Sequence, residues 1–131
     1  MEVFSILINS GEEIRPAIIK YLVEHSIDNA VILGAIGSAV DVSITAPIDH
    51  EPPLRTLEVP YQAACEIVGM SGEIMPWDMV DPKLAAVYPE PNGPLFAHIH
   101  VAAAMMGGNV FGGGLRKGKA FRQIRVFVLP Q

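Results

Sequence analysis

His98 and His100 stand two residues apart in the apolar stretch Leu95-Phe-Ala-His-Ile-His-Val-Ala-Ala-Ala-Met105. In an extended strand, residues i and i+2 face the same side. The two imidazoles should therefore project side by side. Neutral imidazole is a common nitrogen ligand for zinc, and a catalytic zinc site takes three protein ligands. The pair supplies two, which leaves His50, Glu66 or another subunit to supply a third. The competing reading is a pair of histidines packed under a loop or at an interface and bonded to carbonyls.

Glu66 lies in Ala64-Cys-Glu-Ile-Val68. A carboxylate in an apolar strand needs a partner if its face is covered. It needs none if Glu66 points to solvent with Cys65 and Ile67 inward. Gly107, Gly108, Gly112, Gly113 and Gly114 follow the histidines closely. Clustered glycine lets backbone N–H groups line an anion site, but the Lys-Ser/Thr sequel of a phosphate loop is absent. Tight turns and close subunit packing are the preferred reading of that set. Gly34-x-x-Gly37 likewise lacks the dinucleotide-binding pattern, and Cys65, mid-strand among apolar residues, is expected to be inert.

These groups need a frame. Phe4, Ile6 and Ile8 alternate and predict a first strand. Ile14, Ile18, Tyr21, Leu22 and His25 follow helical spacing. Pro16 has no N–H, which only the first four helical residues tolerate. The helix therefore starts no earlier than Glu13, and Ser10-x-x-Glu13 is not its capping box. Ala30–Ile36 reads as a buried strand, Gly37-Ser38 as a bend or bulge, and Ala39–Ala46 as a further strand. Pro47–Pro53 reads as a loop holding Asp49, His50 and Glu51. Leu54–Val59 and Ala63–Met70 read as strands, with Ser71-Gly72 a turn. The proline-rich Met75–Pro94 segment has room for a short helix near Pro82–Val87. Leu95–Met106, the glycine-rich turn and Ala120–Leu129 complete a hairpin-like C-terminal half. One helix and about seven strands predict a single α+β domain over residues 1–131.

The chain has 131 residues, half of them hydrophobic, which suits one core. No apolar run approaches the ~20 residues of a membrane helix, and the start does not resemble a signal peptide. Together with a lone cysteine, this predicts a cytoplasmic protein with no membrane partner. The net charge of −5 is unevenly placed: all fourteen acidic residues precede Pro91, and the remainder holds only five basic ones. Arg116, Lys117, Lys119 and Arg122 form the candidate DNA-binding segment, continued by Arg125. An acidic protein of pI about 5.2 lacks the broad basic field of a non-specific DNA binder. Pairing with the acidic half is therefore preferred for these residues.

Several motifs resemble the plant and prokaryote conserved domain family (PPC, also PCC). His98-Ile-His100 is followed by Gly108-Asn-Val-Phe-Gly-Gly-Gly-Leu115, then Gly118 and a final strand. Upstream stand Cys65-Glu-Ile-Val-Gly-Met-Ser-Gly72, Gly34-Ala-Ile-Gly-Ser38 and Gly11-Glu12. The resemblance spans nearly the whole chain, through the order and spacing of these motifs. It implies a curved, mainly antiparallel sheet or partial barrel, assembled as a homotrimer. Free-standing bacterial members are often labelled DNA-binding, and some prokaryotic members are expected to hold a metal through three histidines. This chain has Gly114 at the third of those positions, so zinc or another divalent ion would need His50 or Glu66. The long Met75–Pro94 segment also departs from the family pattern. Its Trp77, Asp78 and Tyr88 suit either a lid over the histidines or packing at a subunit interface.

Two functions are carried forward. The first is a non-enzymatic homotrimeric module, DNA-binding or regulatory or ligand-binding, with no AT-hook in the sequence. Glu66, Gly112, Gly113, Gly114, Arg116 and Trp77 are its candidate contacts to a small anionic ligand. The second is a small metal-dependent or histidine acid/base enzyme acting on a small carboxylate or keto acid. It rests on similarity of the family's fold to acetolactate decarboxylase, which uses a histidine-bound zinc. The missing third histidine favours the first.

Overall fold

Alternation buries Ile6 and Ile8 and exposes Ser5 and Leu7 along the first strand, β1 (Phe4–Ile8). The computed structural model describes residues 2–53, 55–88 and 93–131. Helix α1 (Ile14–Glu24) begins where proline requires, with Glu13 as its extended N-cap residue. The Ser10 hydroxyl instead donates to the carbonyl of Phe121, and Glu12 accepts from the N–H of Asn9. Ile14, Ile18, Ile19 and Leu22 are buried, each worth about 1.5–3 kcal/mol over exposure. Arg15 is buried among them and donates to the carbonyls of Ala97 (2.8 Å) and Leu115 (3.1 Å). His25 stacks on Tyr21 at the exposed end of the helix.

Five more strands follow. They are β2 (Ala30–Pro47), β3 (Thr56–Tyr61), β4 (Cys65–Met75), β5 (Phe96–Ala104) and β6 (Val110–Pro130). A short helix, α2 (Pro82–Ala85), lies between β4 and β5, its first turn capped by the Asp81 carboxylate on the N–H of Lys83. All described pairings are antiparallel, in the order β1-β6-β5-β4-β2-β3, with β6 also pairing β2. The strands curl into a partial ring rather than a true barrel. The two long strands each serve several neighbours: β2 runs beside β6 on one side and beside β4, then β3, on the other.

Six strands replace the expected seven because Ala30–Ile36 and Ala39–Ala46 are one bent strand. The bend is the anticipated one. Gly37 has φ +141°, and the register against β6 shifts on either side of it while that against β4 is kept. Two other glycine readings are corrected. Ser71-Gly72 is not a turn, for β4 continues to Met75. A Cβ on Gly72 would lie 2.5 Å from the carbonyl oxygen of His98, so this glycine admits a neighbouring strand. Gly112, Gly113 and Gly114 likewise belong to β6. Only Gly107 and Gly108 turn the chain, with φ +81° and +85°. The expected strand at Leu54 begins at Thr56, and Leu54 lies outside the described residues. No helix among the described residues is long and apolar enough to cross a membrane.

Candidate functional site

The outer face of β5 carries His98 and His100, while Ile99 and Val101 between and beyond them are buried. Across β4, His98 pairs with Glu73 and His100 with Ser71. The Glu73 carboxylate accepts from His98 Nδ1 at 3.1 Å, and His98 Nε2 lies 3.2 Å from His100 Nε2. These groups line a cleft of about 260 Å³ with Val31 and Gly72. Burial, and next the neighbouring His98, hold His100 below the ordinary histidine value, so at neutral pH it is an uncharged ring.

A carboxylate only accepts hydrogen bonds. His98 Nδ1 therefore donates, and one proton lies between His98 Nε2 and His100 Nε2. The contacts link His100 through His98 to Glu73.

Glu73 was missed by sequence reasoning because Ser71-Gly72 looked like a turn. Its signal was the spacing Ser71-x-Glu73, which matches His98-x-His100.

The other expected residues fall elsewhere. Glu66 is exposed, with Cys65 and Ile67 buried on either side. It sits five residues along β4 from Ser71, roughly 16 Å at strand rise, in a separate cleft. His50 is exposed in the loop after β2, which is held by a two-pronged pair from Arg55 to Asp49. That pair keeps the Asp49 carboxyl below its usual value. The structure thus brings neither His50 nor Glu66 to the histidines. Burial raises the Cys65 thiol, in keeping with an inert cysteine.

Gly114 pairs with His100 across β5 and β6, and with Thr45 across β6 and β2. It occupies the position from which a side chain would join the histidines. Trp77 donates to the carbonyl of Gly93 (2.8 Å) and meets Phe96 edge-on. Tyr88 meets both Phe96 and His98 edge-on, with the Arg15 guanidinium 5.7 Å from its ring. Burial raises the Tyr88 hydroxyl, and the Arg15 and Arg116 charges oppose that. Arg116 itself donates to the carbonyl of Val87 at 2.6 Å. The segment after β4 is therefore fastened beside the histidines by aromatic contacts and one arginine; its residues 89–92 lie outside the described set.

The histidines fit part of a metal site. Bonds of ~2.0–2.1 Å in a tetrahedron place two nitrogens ~3.3 Å apart, close to the 3.2 Å seen. A carboxylate behind a ligating histidine is the usual second support. Among the described residues, however, the donor set stops at two, and no group of three His, Cys, Asp or Glu could hold a metal. The described residues of this chain do not by themselves complete a catalytic metal centre.

The basic residues of β6 do not form one field. Lys117 and Lys119 share a groove with Glu13 and Asp41. Arg122 lines the Glu66 cleft, and Arg116 turns to Val87.

Comparison with solved structures gives the same fold. A plant- and prokaryote-conserved (PPC) protein of Pyrococcus horikoshii matches with TM-score 0.74 and 20% identity, over 100% of this chain and 80% of that one. A metal-containing protein of Archaeoglobus fulgidus matches with TM-score 0.75 and 27% identity, over 99% and 79%. A Bacteroides thetaiotaomicron protein described as a "putative DNA binding protein" matches with TM-score 0.71 and 16% identity, over 98% and 78%. A search of curated proteins finds no match. The family model for the Plants and Prokaryotes Conserved (PCC) domain matches residues 1–130. With its motifs in order and its strands in the same partial ring, the chain belongs to the PCC domain family.

Proposed function

We propose that this PCC domain is a cytoplasmic, non-enzymatic homotrimeric module, in the DNA-binding or regulatory class to which its structural neighbours' names point. It would act through assembly and a small-anion ligand site rather than through an AT-hook. One observation carries this reading: an apolar outer face runs up to the histidine cleft. Leu7 on β1 and Ile36 on β2 both pair with Arg125 of β6, and Val68 follows on β4. Ile36 is 66% exposed and Val68 58%. Two rows further along, past Phe127, the residues Leu129, Val31, Glu73 and His98 stand side by side across four strands. An exposed apolar face of this kind, interrupted by Arg125, marks an interface, and the trimer implied by the family would cover it. Divided among grooves, the lysines and arginines make DNA contact the weaker part of the reading.

The test is molar mass by light scattering after size exclusion. The wild type should show three times the 14.1 kDa chain mass. Ile36→Lys with Val68→Lys should fall to monomer while keeping its circular dichroism spectrum. A wild-type monomer at micromolar concentration ends the trimer reading.

A second reading, the acid/base enzyme, is favoured by the Glu73–His98–His100 chain. His100 Nδ1 as base would take a proton alpha to the carbonyl of a small keto acid, with His98 and Glu73 orienting the ring. Under this reading the protein should speed deuterium uptake into the methyl group of pyruvate in D2O, and His100→Ala should lose that activity. Exchange at the buffer rate rejects this reading and leaves the binding module.

A further inference from the structure

A second cleft lies well along β4 from the histidines, around the bulge in β6. Gly37 pairs with Ile124 and Ala39 with Ala120, so Ser38 alone faces Phe121, Arg122 and Gln123. All three of those residues are exposed, which breaks the alternation seen on either side, over Gly118–Ala120 and Ile124–Val128. Bulges re-aim side chains and are common beside functional sites. Here the bulge puts Arg122 on the rim of the cleft that Glu66 enters from β4. The N–H of Arg122 meets the Ser38 hydroxyl at 3.4 Å, and Ser38 pairs with Glu66 on its other side. Carboxylate, hydroxyl and guanidinium thus come from three adjacent strands, the outer two about 10 Å apart.

The two charges do not satisfy each other. Neither the Glu66 carboxylate nor the Arg122 guanidinium makes an ion pair or side-chain hydrogen bond among the described residues. The cleft has a volume of about 480 Å³ and a mixed lining, to which Met105, Met106 and Phe121 contribute apolar wall. The methionines sit on a turn fastened by Met105 N–H to the carbonyl of Asn109 (2.7 Å) and Met106 N–H to the Tyr61 hydroxyl (3.3 Å). The volume lies within the ~300–1,000 Å³ of small-molecule sites, which are largely apolar with a few placed polar groups.

We propose that this cleft binds a free α-amino acid with an apolar side chain. Glu66 receives the ammonium group, Arg122 the carboxylate, and Ser38 hydrogen-bonds between them. The thioethers and the phenyl ring of Phe121 take the side chain. Methionine thioethers adapt to varied apolar shapes, so leucine, methionine and phenylalanine should all bind. A hydrogen bond to a charged group is worth more than tenfold in affinity, so removing either ligand charge should be felt.

Isothermal titration of the full protein with L-leucine, L-methionine and L-phenylalanine tests this, beside N-acetyl-L-leucine and L-leucinamide. The free amino acids should bind saturably. Each blocked form, lacking one charge, should bind at least tenfold more weakly. Glu66→Gln and Arg122→Gln, both at exposed positions, should each weaken L-leucine at least tenfold while His98→Ala leaves it unchanged. No saturable heat with any free amino acid overturns the proposal. So does equal binding of the blocked forms, or undiminished binding by both variants.

Discussion

Replacing Gly114 with histidine should convert a two-donor site into a three-donor one and raise zinc affinity on the order of 100-fold or more. His100 and Gly114 are directly paired, and paired residues in antiparallel strands project to the same face at Cβ separations of ~4.5–5.5 Å. Gly114 has no positive φ, so an L side chain meets no backbone strain there. A Cβ at this position would lie 2.8 Å from the Thr45 hydroxyl oxygen, which can rotate away. Glu73 already holds His98 from behind, as a metal-ligating histidine requires. Elemental mass spectrometry of untagged protein is the check. Wild type should carry zinc well below one per chain, Gly114→His close to one, and Gly114→His with His98→Ala and His100→Ala none. Near-stoichiometric zinc in the wild type, lost on replacing both histidines, would show that a donor from beyond this chain's own site completes the set.

The largest loss of stability should follow Gly37→Ala. Gly37 holds φ +141°, and a Cβ there would meet the carbonyl oxygen of Gln123 at 2.2 Å and Cα of Ile124 at 2.8 Å. Both obstacles are backbone, so neither yields by a rotamer change. Strain at such a φ costs about 1–3 kcal/mol, and overpacking typically another 1–3 kcal/mol. We expect a loss of about 3–5 kcal/mol, a large share of the ~5–15 kcal/mol that holds a domain together. Gly34→Ala is the matched control on the same strand. It has nothing within 4 Å of its added Cβ and no positive φ, so it should change stability by less than ~1 kcal/mol. Thermal unfolding at one fixed protein concentration separates the two. Equal melting points for Gly37→Ala and wild type would mean that β2 and β6 do not approach as closely as described.

Much of this frame was legible in the sequence, and what was not had one physical origin. Proline chemistry placed the start of α1, and alternation assigned the inward face of β1. The i, i+2 spacing put both histidines on one face. The errors gathered at glycine, because a missing side chain serves two ends that sequence does not separate. Gly107 and Gly108 bend the chain. Gly72 and Gly113 instead let another strand's backbone come within a distance that a Cβ would forbid. Reading Gly72 as a turn ended β4 too early and hid Glu73, the group that orients the histidine pair. Arg15 is a second case. Nothing in Ile14-Arg-Pro16 says that the guanidinium will be buried, since its carbonyl partners lie 82 and 100 residues away. Glu66 shows the reverse: the solvent-facing alternative was correct, but only the bulge in β6 reveals what else enters its cleft.

The last strand of the sheet also decides when the sheet can exist. β6 pairs with β1, β2 and β5, so the ring cannot close until the final twenty or so residues are available. During synthesis from the N-terminus, β1 has no described strand partner and β2 lacks one whole side. Unpaired edges of that kind favour association with other chains. The C-terminal strand is thus both the lock of the ring and the segment whose delay leaves the molecule most exposed to misassembly.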